Sequence, residues 1–173
     1  MTDLKGKTVL VVDDEHDVRQ YLTMMLEDAG LTVVTAQDGN EALDIIKKQP
    51  PDAISLDLVM PGKSGAKLYR ELSKHAEWSK IPVLIVTGHA RDELGKADLK
   101  ELTISGPGIY LEKPVKPHNY IAAIKKLLGV EINGSEAEAA REVELQNELK
   151  NLIDEADAKT LETIRQLIKK RSK

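Results

Sequence analysis

The chain has 173 residues, 41% hydrophobic and 31% charged, with a formal net charge of −4, a globular profile long enough for one domain and an appendage. Cysteine is absent, which excludes disulfides, thiol catalysis and zinc–thiolate sites. Phenylalanine is absent too, so the core must be aliphatic, and the acidic balance gives no global pull toward nucleic acid.

The N-terminus, MTDLKGKTVLVVDDE, carries charges where a signal peptide needs its apolar stretch. No apolar run approaches the about 18 residues of a membrane helix. A cytoplasmic protein is expected, with no membrane partner. KTVLVV (7–12) reads as a buried strand ending in acids. From Asp17 to Ala29 the residues Val18, Leu22, Met25, Leu26 and Ala29 share one helical face, and Gly30 closes that helix. LTVVTA (31–36) is the next strand, Asp38-Gly39-Asn40 a turn, and Ala42, Ile45 and Ile46 mark a second helix stopped by Pro50-Pro51. AISLDLV (53–59) is a third strand with an acid near its end, followed by the loop MPGKSG (60–65) and a helix over 66–74. IPVLIVTG (81–88) is the most apolar strand, which suggests a central position. A poorer helix over 92–102 is interrupted by Gly95, and GIYLE (108–112) is the fifth strand. After Lys113-Pro114 a last amphipathic helix carries Ile121, Ile124, Leu127 and Leu128, closed by Gly129.

Strands and helices in alternation imply parallel βαβ units with right-handed crossovers. Parallel strands covered on both faces read as continuous apolar runs, as these do. The fold class expected is α/β, a doubly wound five-stranded parallel sheet with helices on both faces, over residues 1–129.

Beyond a polar connector (130–134), residues 135–173 contain no Gly, Pro or aromatic and form a helical extension. Ser135 and Glu138 fit a capping box. Leu145, Leu149, Leu152, Ile153 and Ala156 make one apolar stripe, and Leu161, Ile164, Leu167 and Ile168 another. A hairpin whose second helix is capped by Asp157 and one long helix both fit this pattern. Such a stripe must be buried, either on the first domain or against another chain.

Ligands of open α/β sheets bind beyond the carboxyl ends of the strands. Strand one ends in Asp13-Asp14, strand three in Asp57, strand four in Thr87, and strand five runs into Lys113. Clustered carboxylates need a compensating cation, and oxygen donors without His or Cys point to Mg²⁺. The Thr87 hydroxyl and Lys113 ammonium are what a bound phosphoryl group needs for its remaining oxygens. VLVVDDE, SLDLVMPGKSG, LIVTGHA and YLEKP, in that order, resemble the receiver domain of two-component response regulators over residues 7–129. That resemblance implies a flavodoxin-like strand order 2-1-3-4-5. It implies that Asp57 accepts a phosphoryl group from a sensor histidine kinase or phosphotransfer protein. It further implies that Asp14, Asp57 and the Val59 backbone carbonyl bind Mg²⁺ directly, with Asp13 acting through water. Thr87 and Lys113 would hold the phosphoryl oxygens, Thr87 and Tyr110 would form the switch, and the Lys113–Pro114 bond would be cis.

The protein is thus expected to be a signalling switch rather than a turnover enzyme. The stretch between Thr87 and Lys113 is longer than the family's usual one, so the extension is expected to carry self-association, as a homodimer, or partner binding. A DNA-binding tail is disfavoured, because the extension has more acids than bases, with the bases bunched at Lys169, Lys170, Arg171 and Lys173. A haloacid-dehalogenase-type phosphatase would need a D-x-D pattern that Asp13-Asp14 does not supply. His89 is a candidate modulator of phosphoryl lifetime, and Trp78 a local packing residue.

Overall fold

The computed structural model describes residues 4–88 and 109–171. The elements run β1 (Thr8–Val12), α1 (His16–Asp28), β2 (Thr32–Ala36), α2 (Gly39–Lys48), β3 (Ala53–Leu56), α3 (Gly65–Lys74), β4 (Val83–Thr87), β5 (Ile109–Glu112), α4 (Pro117–Leu127), α5 (Gly134–Glu155) and α6 (Ala158–Arg171). The sheet is parallel, five-stranded, and ordered β2-β1-β3-β4-β5. Expected helix 92–102 and His89 lie outside the described residues.

Alternation along the strands divides the core in two. Leu10, Val12, Ile54 and Leu56 point to one face and are covered by Ala42 and Ile46 of α2 and Leu68 and Leu72 of α3. Val9, Val11, Leu84 and Val86 point to the other, under Leu22 and Leu26 of α1 and Tyr120 and Ile124 of α4. Local chemistry sets the helix starts. Asp38 Oδ1 accepts from the N–H groups of Asn40 and Glu41 at 2.8 and 2.9 Å, and Ser64 Oγ accepts from Lys67 N–H at 3.3 Å. Proline opens α4, where its missing N–H costs nothing. The peptide between Lys113 and Pro114 is cis. Trp78 stacks on His75 with ring centroids 3.8 Å apart and leans on the first core face.

Two local expectations change. The third strand ends at Leu56, not at residue 59. Asp57 N–H still donates to Val12 carbonyl oxygen at 2.9 Å, but the chain then turns so that Gly65 N–H reaches the Leu58 carbonyl oxygen at 3.0 Å. The capping box of Ser135 and Glu138 does not form. The helix begins a residue earlier, at Gly134 with φ +51°, after Asn133, which makes no side-chain cap. The extension is two helices, one of the two forms its sequence pattern left open, with Asp157 starting the second as expected. Ala156 leaves the helix at φ −76°, ψ 139°, and Asp157 Oδ1 accepts from Thr160 N–H at 2.8 Å to start α6.

Helix α5 crosses α4 through small residues. Ala139 and Ala140 meet Ala122, and Val143 joins the core under β5. Ion pairs of Lys125 with Glu136 (2.5 Å), Lys116 with Glu142 (3.4 Å), and Lys126 with Glu144 line the seam. The leucine stripe does not take part in this contact. Leu145, Leu149 and Leu152 are 55%, 52% and 64% exposed, as are Leu167 and Ile168 at 60% and 61%. Among the described residues no helix is long and apolar enough to cross a membrane.

Candidate functional site

The carboxyl ends of β1, β3, β4 and β5 converge because the parallel register pairs Val12 with both Ala36 and Leu56, and Thr87 with Glu112. The residues just beyond each strand therefore share one rim of the sheet. Asp13 and Asp57 are buried there, at 1% and 2% exposure, while Asp14 faces solvent. A carboxylate oxygen from each of Asp13, Asp14 and Asp57 lies within 4.8 Å of the others. Thr87 is buried at the end of β4, and its carbonyl accepts from Lys113 N–H at 3.1 Å, which ties the β5 end to the β4 end.

Lys113 completes the cluster. Its Nζ lies 2.6 Å from Asp13 Oδ2 and 3.2 Å from Asp57 Oδ2, with Glu15 Oε1 at 3.4 Å on the solvent side. Burial alone would pull the ammonium down, but the two carboxylates outweigh it, and Lys113 is held above the usual lysine range. Asp13 is pushed up mainly by burial, against the opposing influence of Lys113 and of the Glu15 N–H that donates to Oδ1 at 3.0 Å; the Asp57 charge adds to the rise. Asp57 Oδ1 accepts from Val59 N–H at 3.3 Å, so the loop after β3 folds around the carboxylate. One ammonium faces three carboxylates, an imbalance that a hard divalent cation with oxygen preference would correct. The donor set, three carboxylates and no nitrogen or sulfur, fits Mg²⁺.

Several supporting residues carry no sequence signal. Arg19 Nη1 donates to the carbonyls of Asp13 and Asp14 at 2.7 and 3.2 Å, fixing the turn that presents both acids. Tyr120 is fully buried beneath the cluster, and burial pushes its phenol up. Tyr110 is half-buried on β5, paired with Ile85. It leans on the first core face, and its polar contacts come from the extension, a long-range docking that no local pattern encodes: Asn147 Nδ2 donates to its carbonyl at 3.1 Å, and Lys150 Nζ to its hydroxyl at 2.5 Å.

A family model for the response regulator receiver domain matches residues 9–125. The chain belongs to the response regulator receiver family. Receiver domains are generally signalling rather than enzymatic domains. Protein PilH of Pseudomonas aeruginosa is 36% identical over 120 residues, covering 69% of this chain and 96% of that protein. The phosphate regulon transcriptional regulatory protein PhoB of the same organism is 32% identical over 123 residues, or 71% of this chain. This chain spans about half the length of PhoB, 52%. Among solved structures, the chemotaxis protein CheY4 of Vibrio cholerae superposes with a TM-score of 0.60 at 30% identity, covering 70% of this chain and 98% of that one. The family match ends within α4, before the extension begins.

Proposed function

We propose that this receiver is a cytoplasmic phosphorylation switch in which Asp57 is the phosphoacceptor. The observation that carries the reading is the placement of Lys113 Nζ between buried Asp13 and Asp57, with Asp14 beside them. The donor is a phosphohistidine on a sensor histidine kinase or phosphotransfer protein. An Asp57 carboxylate oxygen attacks phosphorus in line, the P–N bond breaks, and the imidazole nitrogen leaves with its electron pair. Little covalent help is needed; positioning and positive charge on the equatorial oxygens dominate. Asp14, Asp57 and the Val59 carbonyl would hold Mg²⁺ directly and Asp13 through water; when bound, the ion supplies charge neutralisation at the transferring group. The Thr87 hydroxyl and Lys113 ammonium hold the phosphoryl oxygens. Added negative charge draws Thr87 toward it, and the space vacated lets Tyr110 turn inward, which biases a two-state surface. Acetyl phosphate and Mg²⁺ should add one acid-stable, base-labile phosphoryl group, lost on chelation. No incorporation under those conditions would refute the assignment.

The output runs through protein contacts. The exposed stripe of α5 and α6 continues a helix already seated on the receiver, and charge is segregated along it. Glu148 and Glu155 are exposed on α5, while Lys169 and Lys170 are exposed on α6. A second copy of this chain, with its α6 laid against the first copy's α5, would bury both stripes and pair these charges. Sedimentation should show a dimer for the parent chain. Leu149→Asp with Leu152→Asp should sediment as a monomer, with phosphorylation retained. A double variant that stays dimeric would rule this interface out. A DNA-binding tail and a phosphatase reaction are not favoured, for the charge and motif reasons given above.

A further inference from the structure

Tyr110, a member of the proposed switch, touches the extension. Its strand, β5, is the edge of the sheet, and an edge strand offers unpaired backbone groups. Helix α5 covers that edge. Asn147 Nδ2 donates both to the Tyr110 carbonyl, at 3.1 Å, and to Val143 carbonyl in its own helix, at 2.6 Å, which bolts the β5 backbone to α5. One turn along, Lys150 Nζ donates to the Tyr110 hydroxyl and stands 4.2 Å from the ring centroid, in cation–π range. The backbone, the hydroxyl and the ring of Tyr110 are thus engaged by one helix.

These contacts require the phenol to point toward α5. A ring turned inward beneath β4 would carry its hydroxyl away from Lys150 and lose the hydroxyl and ring contacts together. Seating α5 therefore stabilises the outward tyrosine, and a phosphoryl group at Asp57 stabilises the inward one. Coupling of this kind is reciprocal: whatever phosphorylation does to α5 docking, α5 docking does to phosphorylation.

We propose that α5 reads the Asp57 site, with Lys150 as the positioning residue that holds the Tyr110 ring outward and Asn147 tying α5 to the β5 backbone, so that phosphorylation and the docking of α5 oppose one another. The inference rests on the reading of Asp57 as phosphoacceptor and Tyr110 as switch, and adds the element that receives the signal. It also links the site to the exposed stripe. Leu149 neighbours Lys150 in sequence and Leu145 lies within a turn of Asn147, so loosening α5 from β5 re-aims that apolar surface.

The test uses the full chain. Hydrogen exchange is followed by mass spectrometry with and without Mg²⁺ and beryllofluoride, a phosphoryl mimic. Protection across residues 140–150 should fall when the mimic binds, and should not change in Asp57→Asn. Lys150→Met keeps the aliphatic stem and helix propensity but removes the ammonium. It should accelerate labelling by acetyl phosphate roughly three- to tenfold. Lys150→Arg should label like the parent. In Tyr110→Phe the Lys150→Met change should have a smaller effect, since part of the interaction is already gone. Equal or slower labelling of Lys150→Met would overturn the proposal. So would unchanged α5 protection while β4, residues 83–87, responds to the mimic; the receiver reading would then stand without the coupling. Silence in β4 as well would remove both.

Discussion

Asp57→Asn is expected to lose acetyl phosphate labelling altogether while keeping the fold. The amide is nearly isosteric with the carboxylate and can accept from Val59 N–H, which now reaches Asp57 Oδ1 at 3.3 Å. It offers no anionic nucleophile, however, and no other carboxylate takes its place. Asp13 is engaged by Lys113 at 2.6 Å and by Glu15 N–H at 3.0 Å, and its pKa is pushed up by burial. Asp14 is exposed and stands outside the three ion pairs of Lys113, with Asp13, Glu15 and Asp57. Stability should change by less than about 1 kcal/mol, because Lys113 keeps Asp13 as a partner and one of three crowded charges is removed. Intact-mass measurement of the labelled protein checks the first expectation and urea unfolding the second. Persistent labelling at the parent rate would move the nucleophile to another residue.

The sheet was legible because its inner strands β1, β3 and β4 are buried on both faces, so that KTVLVV and IPVLIVTG carry no alternation to confuse with an exposed element. The converging acids were legible for a related reason: in a parallel sheet the residues after successive strands meet at one rim, and Asp13, Asp57, Thr87 and Lys113 occupy those places. What escaped is everything set by tertiary approach. The third strand stops at Leu56 because the chain folds back over Asp57, a closure that depends on Gly65 rather than on the apolar run Leu58-Val59. The extension was harder still. Its leucines dominate the pattern, yet the residues that dock α5 onto the receiver are Ala139, Ala140 and Val143, 7%, 5% and 3% exposed. Small side chains let α5 and α4 approach closely; they carry little weight in a hydrophobic periodicity. The stripe and the docking face are different faces of one helix. Likewise Asn147 and Lys150 read as ordinary surface residues until α5 is laid across β5.

Gly65→Ala should damage both fold and site. A Cβ at Gly65 would stand 1.8 Å from the Asp57 carbonyl oxygen, 2.8 Å from its carbonyl carbon and 3.0 Å from Leu58 Cα. All three are backbone atoms, so no rotamer change relieves the clash. Either the start of α3 or the segment that presents Asp57 must move. Helix α3 is anchored by Leu68, Tyr69 and Leu72 in the first core face and by the Ser64 cap. On the other side, Asp57 N–H is tied to Val12, and Leu58 is itself fully buried. Neither yields without breaking core contacts, so the expected loss is about 3 kcal/mol or more. Even a folded fraction should label poorly, because a shift of Asp57 breaks its 3.2 Å contact with Lys113. Gly62→Ala separates crowding from backbone strain. It has φ +75° with nothing near a new Cβ, so it should lose only about 1 kcal/mol and still label. Urea unfolding and labelling of the two variants side by side decide the matter. A Gly65→Ala protein that unfolds and labels like the parent would mean that the β3–α3 loop does not pass this close to α3.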